Sequence, residues 1–293
     1  MAYAGRDPRV PGFAEQVFTK PFKAMFIGAH PDDAECSFGY MTAQLIKAGA
    51  EVTFVSVCNG DNGHQTMKPE DLAARRYLET QESAKVYGLK EYLVLGEHDC
   101  IVEPTIELRR KITRLIREKA PHLVVTHRTC DYHADHRATG QAVQDSTYLI
   151  GVPLFCPETP VPETLPFVMY ADDPFTVPRK LRPDLICDGS DVVDTVFRAL
   201  CCHESQLFEW LPPEQGDDPS TIPVGKEARF EWAKAHALPD MTRGRDCHPE
   251  TVDRFCGKNV KYVNIFELCE YSRQPCESEK RFLASVPGVK WVE

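Results

Sequence analysis

The chain has 293 residues, of which 42% are hydrophobic and 27% charged, and its formal net charge is −10 at pH 7. This length and composition are typical of a globular protein with a substantial core. The negative charge argues against binding nucleic acid independently of its sequence, which needs a positively charged surface. A membrane span needs about 18 consecutive apolar residues, and no run approaches that length. We therefore expect neither a nucleic acid nor a membrane as a partner.

The N-terminus and the cysteines predict a cytoplasmic protein. Residues 1–22 contain three prolines and no periodicity, which predicts an extended arm. This arm is expected to lie on the surface or on a neighbouring subunit, so the question of a homo-oligomer is left open. The arm lacks the charged and then apolar layout of a secretory signal. The twelve cysteines include no Cys-x-x-Cys pair, the close spacing that a structural zinc site normally shows. We expect reduced thiols, several of them buried as small apolar groups.

The first predicted strand, Lys23–Gly28, ends in the polar sequence His-Pro-Asp-Asp at residues 30–33, and a helix follows at about Glu35–Ala48. In open α/β sheets, functional groups usually follow the carboxyl ends of the strands. One imidazole and one carboxylate of this turn can bind a metal and leave a second carboxylate free. The same residues also suit a polar helix cap, because Asp and Pro are favoured at helix starts. This stretch alone leaves both interpretations open.

Strands and helices continue to alternate up to residue 149. Further strands are predicted at Glu51–Val57, Tyr92–Leu95 and Leu123–Thr126, and further helices at about Pro69–Tyr87, Thr105–Lys119 and Ala134–Leu149. Four strands alternating with four helices predict a parallel sheet with helices on both faces. Right-handed crossovers then place the first and fourth strands side by side at the switch point. The loops after Gly28 and Thr126 are therefore expected to face each other across one crevice.

The chain becomes irregular and rich in proline beyond Gly151. We predict a strand at Phe167–Tyr170 and helices at Val192–Cys202 and Lys226–Ala237, but no boundary is sharp enough to separate a second domain. The prediction is a single domain that comprises the arm (residues 1–22), a catalytic core (residues 23–206) and a C-terminal extension (residues 207–293).

A second polar cluster, HRTCDYHADHRATG at residues 127–140, follows the fourth strand. A solvated, acid-rich helix entry would explain it without any function. However, packing alone gains nothing from so many ionisable groups beside an apolar strand. Taken with the first turn, the cluster predicts a mononuclear site in which His30, Asp33 and His136 bind one zinc ion and leave open positions.

The remaining side chains have catalytic roles in this prediction. A zinc ion lowers the pKa of its water, and Asp32 is placed to accept the remaining proton as a general base. Attack on an amide carbonyl creates an oxyanion, which His133 can stabilise before it protonates the leaving amine. Asp135 is the local carboxylate that would keep His133 protonated and oriented.

These two motifs resemble the PIG-L / LmbE-like zinc-dependent N-deacetylases, whose signatures match here at Ala29–Glu35 and His133–His136. The resemblance implies a Rossmann-like three-layer sandwich with a mostly parallel sheet, an irregular C-terminal extension and the roles assigned above. It also implies that Arg76 faces the substrate, an N-acetylglucosamine-type sugar or a related amide. Weaker similarities occur at Asp99 and His203. Glu35 is adequately explained by the dipole of the first helix.

Two other functions stay open. A few relatives of this family hydrate an unsaturated dicarboxylic acid on the same metal frame. Such an enzyme needs at least two cationic residues in the crevice, for which Arg76, Arg128 and Arg137 are candidates. A module that keeps the metal without catalysis is the other alternative, and the intact Asp32 and His133 argue against it.

Overall fold

The fold is described for residues 21–236 and 238–292 by a computed structural model. Most of the predicted arm, the predicted helix end at Ala237 and Glu293 lie outside these residues. The strands are β1 (Lys23–Gly28), β2 (Glu51–Cys58), β3 (Glu91–Glu97), β4 (Leu123–Thr126), β5 (Phe167–Ala171), β6 (Leu185–Asp188), β7 (Val263–Leu268) and β8 (Val289–Trp291).

The helices lie mainly between the first strands and again in the last hundred residues. They are α1 (Asp33–Lys47), α2 (Pro69–Tyr87), α3 (Ile106–Lys119), α4 (Ala134–Leu149), α5 (Val193–Leu200), α6 (Leu211–Gln215), α7 (Lys226–Ala235), α8 (Pro239–Cys247), α9 (Pro249–Phe255) and α10 (Glu277–Ser285). A π-helix spans Ser205–Trp210, and short 3-10 helices span Pro153–Phe155 and Pro219–Thr221. Within the described ranges, none of these helices has the length and apolar character needed to cross a membrane.

One eight-stranded sheet has the order β3-β2-β1-β4-β5-β7-β6-β8. The first five of these strands are parallel, and β1 pairs with both β2 and β4. The predicted α/β class and the predicted neighbourhood of the first and fourth strands are therefore confirmed. Strands β6, β7 and β8 were not predicted, and they extend the sheet by antiparallel pairing.

The centre of the sheet is buried on both faces. In β1, Ala24 and Phe26 belong to one apolar cluster, whereas Met25 and Ile27 belong to another. Side chains alternate across a strand, so the two clusters lie on opposite faces. Strands buried on both faces are typical of parallel sheets covered by helices. The apolar run of β1 thus explains why the polar turn after it is held at the carboxyl edge of the sheet.

The cysteines agree with the prediction of free, partly buried thiols. All twelve lie among the described residues, none is in a disulfide, and five are buried: Cys58, Cys156, Cys187, Cys269 and Cys276.

Helix α4 packs closely on the loop after β4. A Cβ atom at Gly140 would lie 2.5 Å from the carbonyl oxygen of His127 and 2.9 Å from that of Arg128. Backbone atoms cannot move aside as easily as the end of a side chain, so only glycine allows this approach. The contact fixes the distance between α4, which carries His136, and the strand that precedes it.

Replacing Gly140 by alanine is therefore expected to lower the free energy of unfolding by about 1–3 kcal/mol, the usual cost of overpacking. Urea unfolding measures this change. As a control on the same helix, Gln141→Ala removes a partly exposed side chain and should change stability by less than about 0.5 kcal/mol. Equal stabilities of the two variants would contradict the close approach.

Candidate metal centre

The turn between β1 and α1 is held by its own carboxylate. Oδ2 of Asp33 accepts hydrogen bonds from the backbone N–H groups of Ala29 (2.8 Å) and His30 (2.7 Å). The residue before it, Asp32, has a φ of 112°, a left-handed conformation that is uncommon outside glycine. This conformation turns the chain sharply from strand to helix, so that three polar side chains leave the turn within four residues.

The structure brings the three predicted metal ligands together. Nδ1 of His30 lies 3.2 Å from Nε2 of His136. The Asp33 carboxylate lies 3.3 Å from Nε2 of His136 and 3.6 Å from Nδ1 of His30. The ring of His133 is also close. One ring nitrogen each from His30, His133 and His136 lie within 4.8 Å of one another. Two imidazole nitrogens and a carboxylate are a usual donor set for zinc.

Carboxylates contact the opposite ring nitrogens of both predicted histidine ligands. Nδ1 of His136 lies 3.2 Å from Asp131, and Nε2 of His30 lies 3.2 Å from both Asp99 and Asp135. Metal-binding histidines almost always donate their other N–H to such a partner, which fixes the tautomer and the ring orientation. The facing nitrogens are therefore free to bind a metal, and the residues present fit a divalent ion.

The centre is electrostatically suited to a cation. Burial opposes a charge on His136, but Asp33 and Asp131 outweigh it and raise the pKa of this imidazole to about 9. Burial would also raise the pKa of Asp33, but His136 and His127 hold it well below its usual range. The carboxylates thus remain ionised and attract positive charge, which a bound divalent ion supplies.

Asp32 lies beside the predicted ligands but binds a different partner. Its carboxylate accepts a hydrogen bond from Nη2 of Arg76 at 3.1 Å. Burial raises the pKa of Asp32 to about 6, although Arg76 opposes this shift. A carboxylate with a pKa just below neutrality is ionised at pH 7 and is still basic enough to accept a proton, as a general base must be.

Arg76 lies beside the turn after β1, and its predicted substrate-facing role stays a prediction. Its side chain is only 2% exposed, and its guanidinium also donates to the carbonyl oxygens of Pro31 and Gly60. A buried guanidinium needs such acceptors, because an unpaired buried charge is costly. Arg76 thus holds the turn and the Asp32 carboxylate in place through these hydrogen bonds.

The predicted support of His133 by Asp135 stays a prediction; an oxygen of the Asp135 carboxylate and a ring nitrogen of His133 lie within 4.8 Å of each other. The Asp135 carboxylate accepts hydrogen bonds from the backbone N–H groups of Cys100 (2.7 Å) and Val102 (3.1 Å) and contacts His30. The backbone N–H of Asp135 donates to Nδ1 of His133, which leaves the proton of a neutral ring on Nε2. Burial and the neighbouring His30 lower the pKa of His133, which favours the neutral ring.

His127 was part of the predicted polar stretch but had no assigned role. Its ring stacks on that of His136, with a centroid distance of 4.2 Å and an angle of 3°. Its Nε2 lies 3.1 Å from Oδ2 of Asp33. The position directly after the buried strand β4 could have indicated this contact, since the loop after β1 lies opposite. His127 therefore contacts two of the three predicted ligands.

Glu35 has more contacts than the helix dipole explains. Its side chain is fully buried, and its carboxylate accepts hydrogen bonds from Ser83, from Nε2 of His203 at 2.9 Å and from the hydroxyl of Tyr92 at 3.4 Å. These contacts join the start of α1 to α2, β3 and the segment after α5. Of the two positions of weaker similarity, His203 thus contacts Glu35, and Asp99 lies 3.2 Å from Nε2 of His30.

Replacing Glu35 by glutamine is expected to lower the free energy of unfolding by about 1–3 kcal/mol, because its amide group would face buried donors. Thermal or urea unfolding measures the loss. The matched control is Glu227→Gln, which removes one charge from the exposed pair with Arg198 and should change stability by at most about 1 kcal/mol. If both variants lose the same small amount, the buried network does not stabilise the fold.

Comparison with known proteins bears on both the family and the fold of this chain. Residues 25–147 match the family described as PIG-L, GlcNAc-PI de-N-acetylase, so the resemblance predicted from the two motifs is confirmed. The diacetylchitobiose deacetylase of Thermococcus kodakarensis is 29% identical over 192 residues, which cover 64% of this chain and 71% of that protein.

Two solved structures share the fold. The N,N'-diacetylchitobiose deacetylase of Pyrococcus horikoshii has a TM-score of 0.65 at 22% identity, and the match covers 88% of each chain. The 4-carboxy-2-hydroxymuconate hydratase of Pseudomonas putida has a TM-score of 0.62 at 18% identity, covering 85% of this chain and 96% of that one. At these identities, the likeness concerns the arrangement of the sheet and its helices.

Proposed function

We propose, from the match of residues 25–147 to the PIG-L family, that this chain is a zinc-dependent hydrolase that removes acetyl groups from N-acetylated amino sugars. The observation that carries the proposal is the convergence of His30, Asp33 and His136 at the carboxyl ends of two neighbouring strands. Asp32 and His133 lie next to these ligands. The relatives named above as deacetylases support the same reaction class.

In this proposal, His30, Asp33 and His136 would hold one Zn²⁺ per chain. When bound, the ion lowers the pKa of water and polarises a carbonyl oxygen. Asp32 accepts a proton from the attacking water, and Arg76 holds its carboxylate in position through the 3.1 Å hydrogen bond. The water oxygen forms a bond to the carbonyl carbon of the acetamide.

His133 acts on the carbonyl oxygen of the scissile amide. Its Nε2–H donates to the carbonyl oxygen while negative charge develops there, as an oxyanion donor does. The C–N bond then breaks, and the proton taken up by Asp32 passes to the leaving nitrogen. The products are acetate and the free amino sugar. The hydrogen bond from the backbone of Asp135 fixes the donor tautomer of His133.

The hydratase alternative is disfavoured by the positions of its candidate cations. Arg76 is buried on Asp32, and Arg128 is buried and paired with Asp173 at 3.2 Å. Arg137 uses Nη1 on the carbonyl oxygens of Asp131 and Tyr132. Two of the three guanidiniums are therefore committed to carboxylates of the protein itself, so they are poorly placed to bind the two carboxylates of a diacid.

One experiment separates these functions. The zinc-loaded protein is given a panel of N-acetylated sugars and amines, together with an unsaturated dicarboxylic acid, and both released acetate and diacid absorbance are measured. We expect acetate from at least one N-acetylated sugar and no change in the diacid. Loss of the diacid absorbance without any acetate would overturn the proposal in favour of hydration.

A further inference from the structure

A cavity of about 600 Å³ lies between α2, α5, the π-helix and α7. Its volume lies within the range of small-molecule sites, roughly 300–1,000 Å³. Among the described residues that line this cavity, none is a proposed metal ligand, and neither Asp32 nor His133 belongs to them. The proposed deacetylation at the metal centre therefore does not account for the cavity.

The inner wall of the cavity is apolar. Phe208 and Phe230 line it and are only 4% and 3% exposed, and Val86 of α2 lies at its edge. The adjacent thiols of Cys201 and Cys202 also line it. Burial raises the pKa of Cys201 to about 12 and that of Cys202 to about 11, so both thiols stay neutral and pack as small apolar groups. A ligand in this cavity thus buries an apolar body.

Positive charge dominates the lining, although the whole chain carries a formal net charge of −10. The cationic residues that line the cavity are Lys85, Arg198, Lys226 and Arg229, and the acidic ones are Glu82 and Glu204. Lys226 is exposed and makes no hydrogen bond or ion pair with residues 21–236 or 238–292. Charge of one sign in a cleft attracts ligands of the opposite sign. The cavity therefore favours an anion.

The two arginines of the cavity are held only by exposed ion pairs. Arg198 pairs with Glu227 at 3.1 Å, and the two side chains are 46% and 69% exposed. Arg229 pairs with Glu204 at 2.9 Å, with 27% and 45% exposed. Exposed ion pairs contribute little to stability because water screens them. An anionic ligand can therefore compete for these guanidiniums, unlike for that of Arg128, whose ion pair is buried.

The same guanidiniums favour a planar ligand. Cζ of Arg198 lies 3.9 Å from the ring centroid of Phe230, and Cζ of Arg229 lies 4.8 Å from that of Phe208. A guanidinium is planar and stacks on aromatic faces. Its opposite face is then suited to a second flat ring, while the N–H groups at its edge suit a carboxylate. The chemistry that fits is an aromatic ring with one anionic group.

We propose that this cavity is a binding site for a small aromatic carboxylate, separate from the metal centre. The ring of the ligand packs against the apolar wall formed by Phe208 and Phe230. Its carboxylate pairs with Lys226 and with the neighbouring guanidiniums. This inference goes beyond the proposed deacetylase function and does not depend on it.

The test uses 2-naphthoate as the aromatic carboxylate and 2-naphthylmethanol as its uncharged counterpart with the same rings. Isothermal titration calorimetry on the zinc-loaded protein gives the Kd and the number of sites. We expect one 2-naphthoate per chain and a weaker affinity for the alcohol. Higher ionic strength should weaken binding of the carboxylate and leave that of the alcohol unchanged, because salt screens the charges.

Three variants locate the site. Lys226→Ala should raise the Kd for 2-naphthoate about tenfold, as the loss of a charged partner does, and leave the Kd for 2-naphthylmethanol unchanged. Val86→Trp fills the cavity and should prevent binding of both compounds. Lys261→Ala removes the same charge from an exposed position outside the cavity and should change neither Kd. Circular dichroism shows whether each variant is folded.

Three results would overturn the inference. The first is a Kd for 2-naphthoate weaker than about 1 mM. The second is unchanged 2-naphthoate binding in folded Lys226→Ala and Val86→Trp together with loss of binding when a chelator removes zinc, since the carboxylate then occupies the metal centre. The third is an equal Kd for the two compounds that Lys226→Ala leaves unchanged, since the cavity then does not select an anion.

Discussion

Replacing His136 by alanine is expected to abolish zinc binding and deacetylase activity together. The variant removes one of the three proposed ligands, whose nearest side-chain atoms lie 3.2–3.6 Å from one another. Metal-ion catalysis contributes several kcal/mol, so the rate should fall at least about a thousandfold. Zinc content after dialysis, measured by elemental analysis, and acetate release give the two readouts. Addition of a chelator to the unmodified protein should have the same effect, and added zinc should restore activity.

Two further variants make this result specific to the site. Asp131→Asn keeps the shape of the residue behind Nδ1 of His136 and should weaken zinc binding about 10- to 100-fold, as is usual for such supporting carboxylates. His236→Ala removes an exposed histidine that stacks on Trp232 and should change neither readout. If His136→Ala binds zinc as tightly as the unmodified protein, the proposed ligand set is wrong.

Asp32→Asn is expected to lower kcat by about 10²–10⁴ while zinc content stays the same. Asparagine has the size of aspartate and tolerates a positive φ, so it fits the backbone of the turn. It cannot accept the proton of the attacking water, and loss of a general base costs about this factor. Acetate release under saturating substrate measures kcat, and elemental analysis measures zinc.

The control for this prediction is Asp194→Asn, which changes an exposed carboxylate paired with Lys234. Its kcat should equal that of the unmodified protein. A kcat for Asp32→Asn within tenfold of the original value, at full zinc content, would mean that another group accepts the proton. In that case, the hydrogen bond from Arg76 would hold the turn without a direct role in catalysis.

The first half of the fold could be predicted because local signals there are strong. The run at β1 is apolar and stops at a His-Pro-Asp-Asp turn, and α2 ends before Gly88, whose φ is 75°. Each of these signals depends on a few adjacent residues, so no distant contact is needed to interpret it. The common edge at which the metal ligands meet then follows from the rules for parallel sheets.

The last three strands could not be predicted because their pairing is not local. Strand β8 has three residues and β6 has four. Strand β6 pairs antiparallel with β7 and with β8, and both of these lie far from it along the chain. Such short runs carry little periodicity of their own. Tertiary contacts decide whether they become strands.

Some contacts of the site residues could not be predicted for a related reason. Asp135 was predicted to support His133, and the loop after β3 also brings the N–H groups of Cys100 and Val102 to its carboxylate. Likewise, Glu35 is adjacent to the predicted ligands, but its partner His203 lies 168 residues away. Residue types and spacing predicted that His30, Asp33 and His136 lie close together, as they do, whereas the partners of each carboxylate depend on loops whose paths the sequence does not reveal.

The order of strands in the sheet has a consequence for biosynthesis. Strand β7 lies between β5 and β6, although both precede it in the chain. While the protein emerges from the ribosome, the edges of β5 and β6 remain without their partner until residue 268 has left the exit tunnel. Unpaired strand edges invite association with other chains. The nascent polypeptide is therefore most exposed to aggregation in the interval between the synthesis of β6 and that of β7, when a chaperone would protect it best.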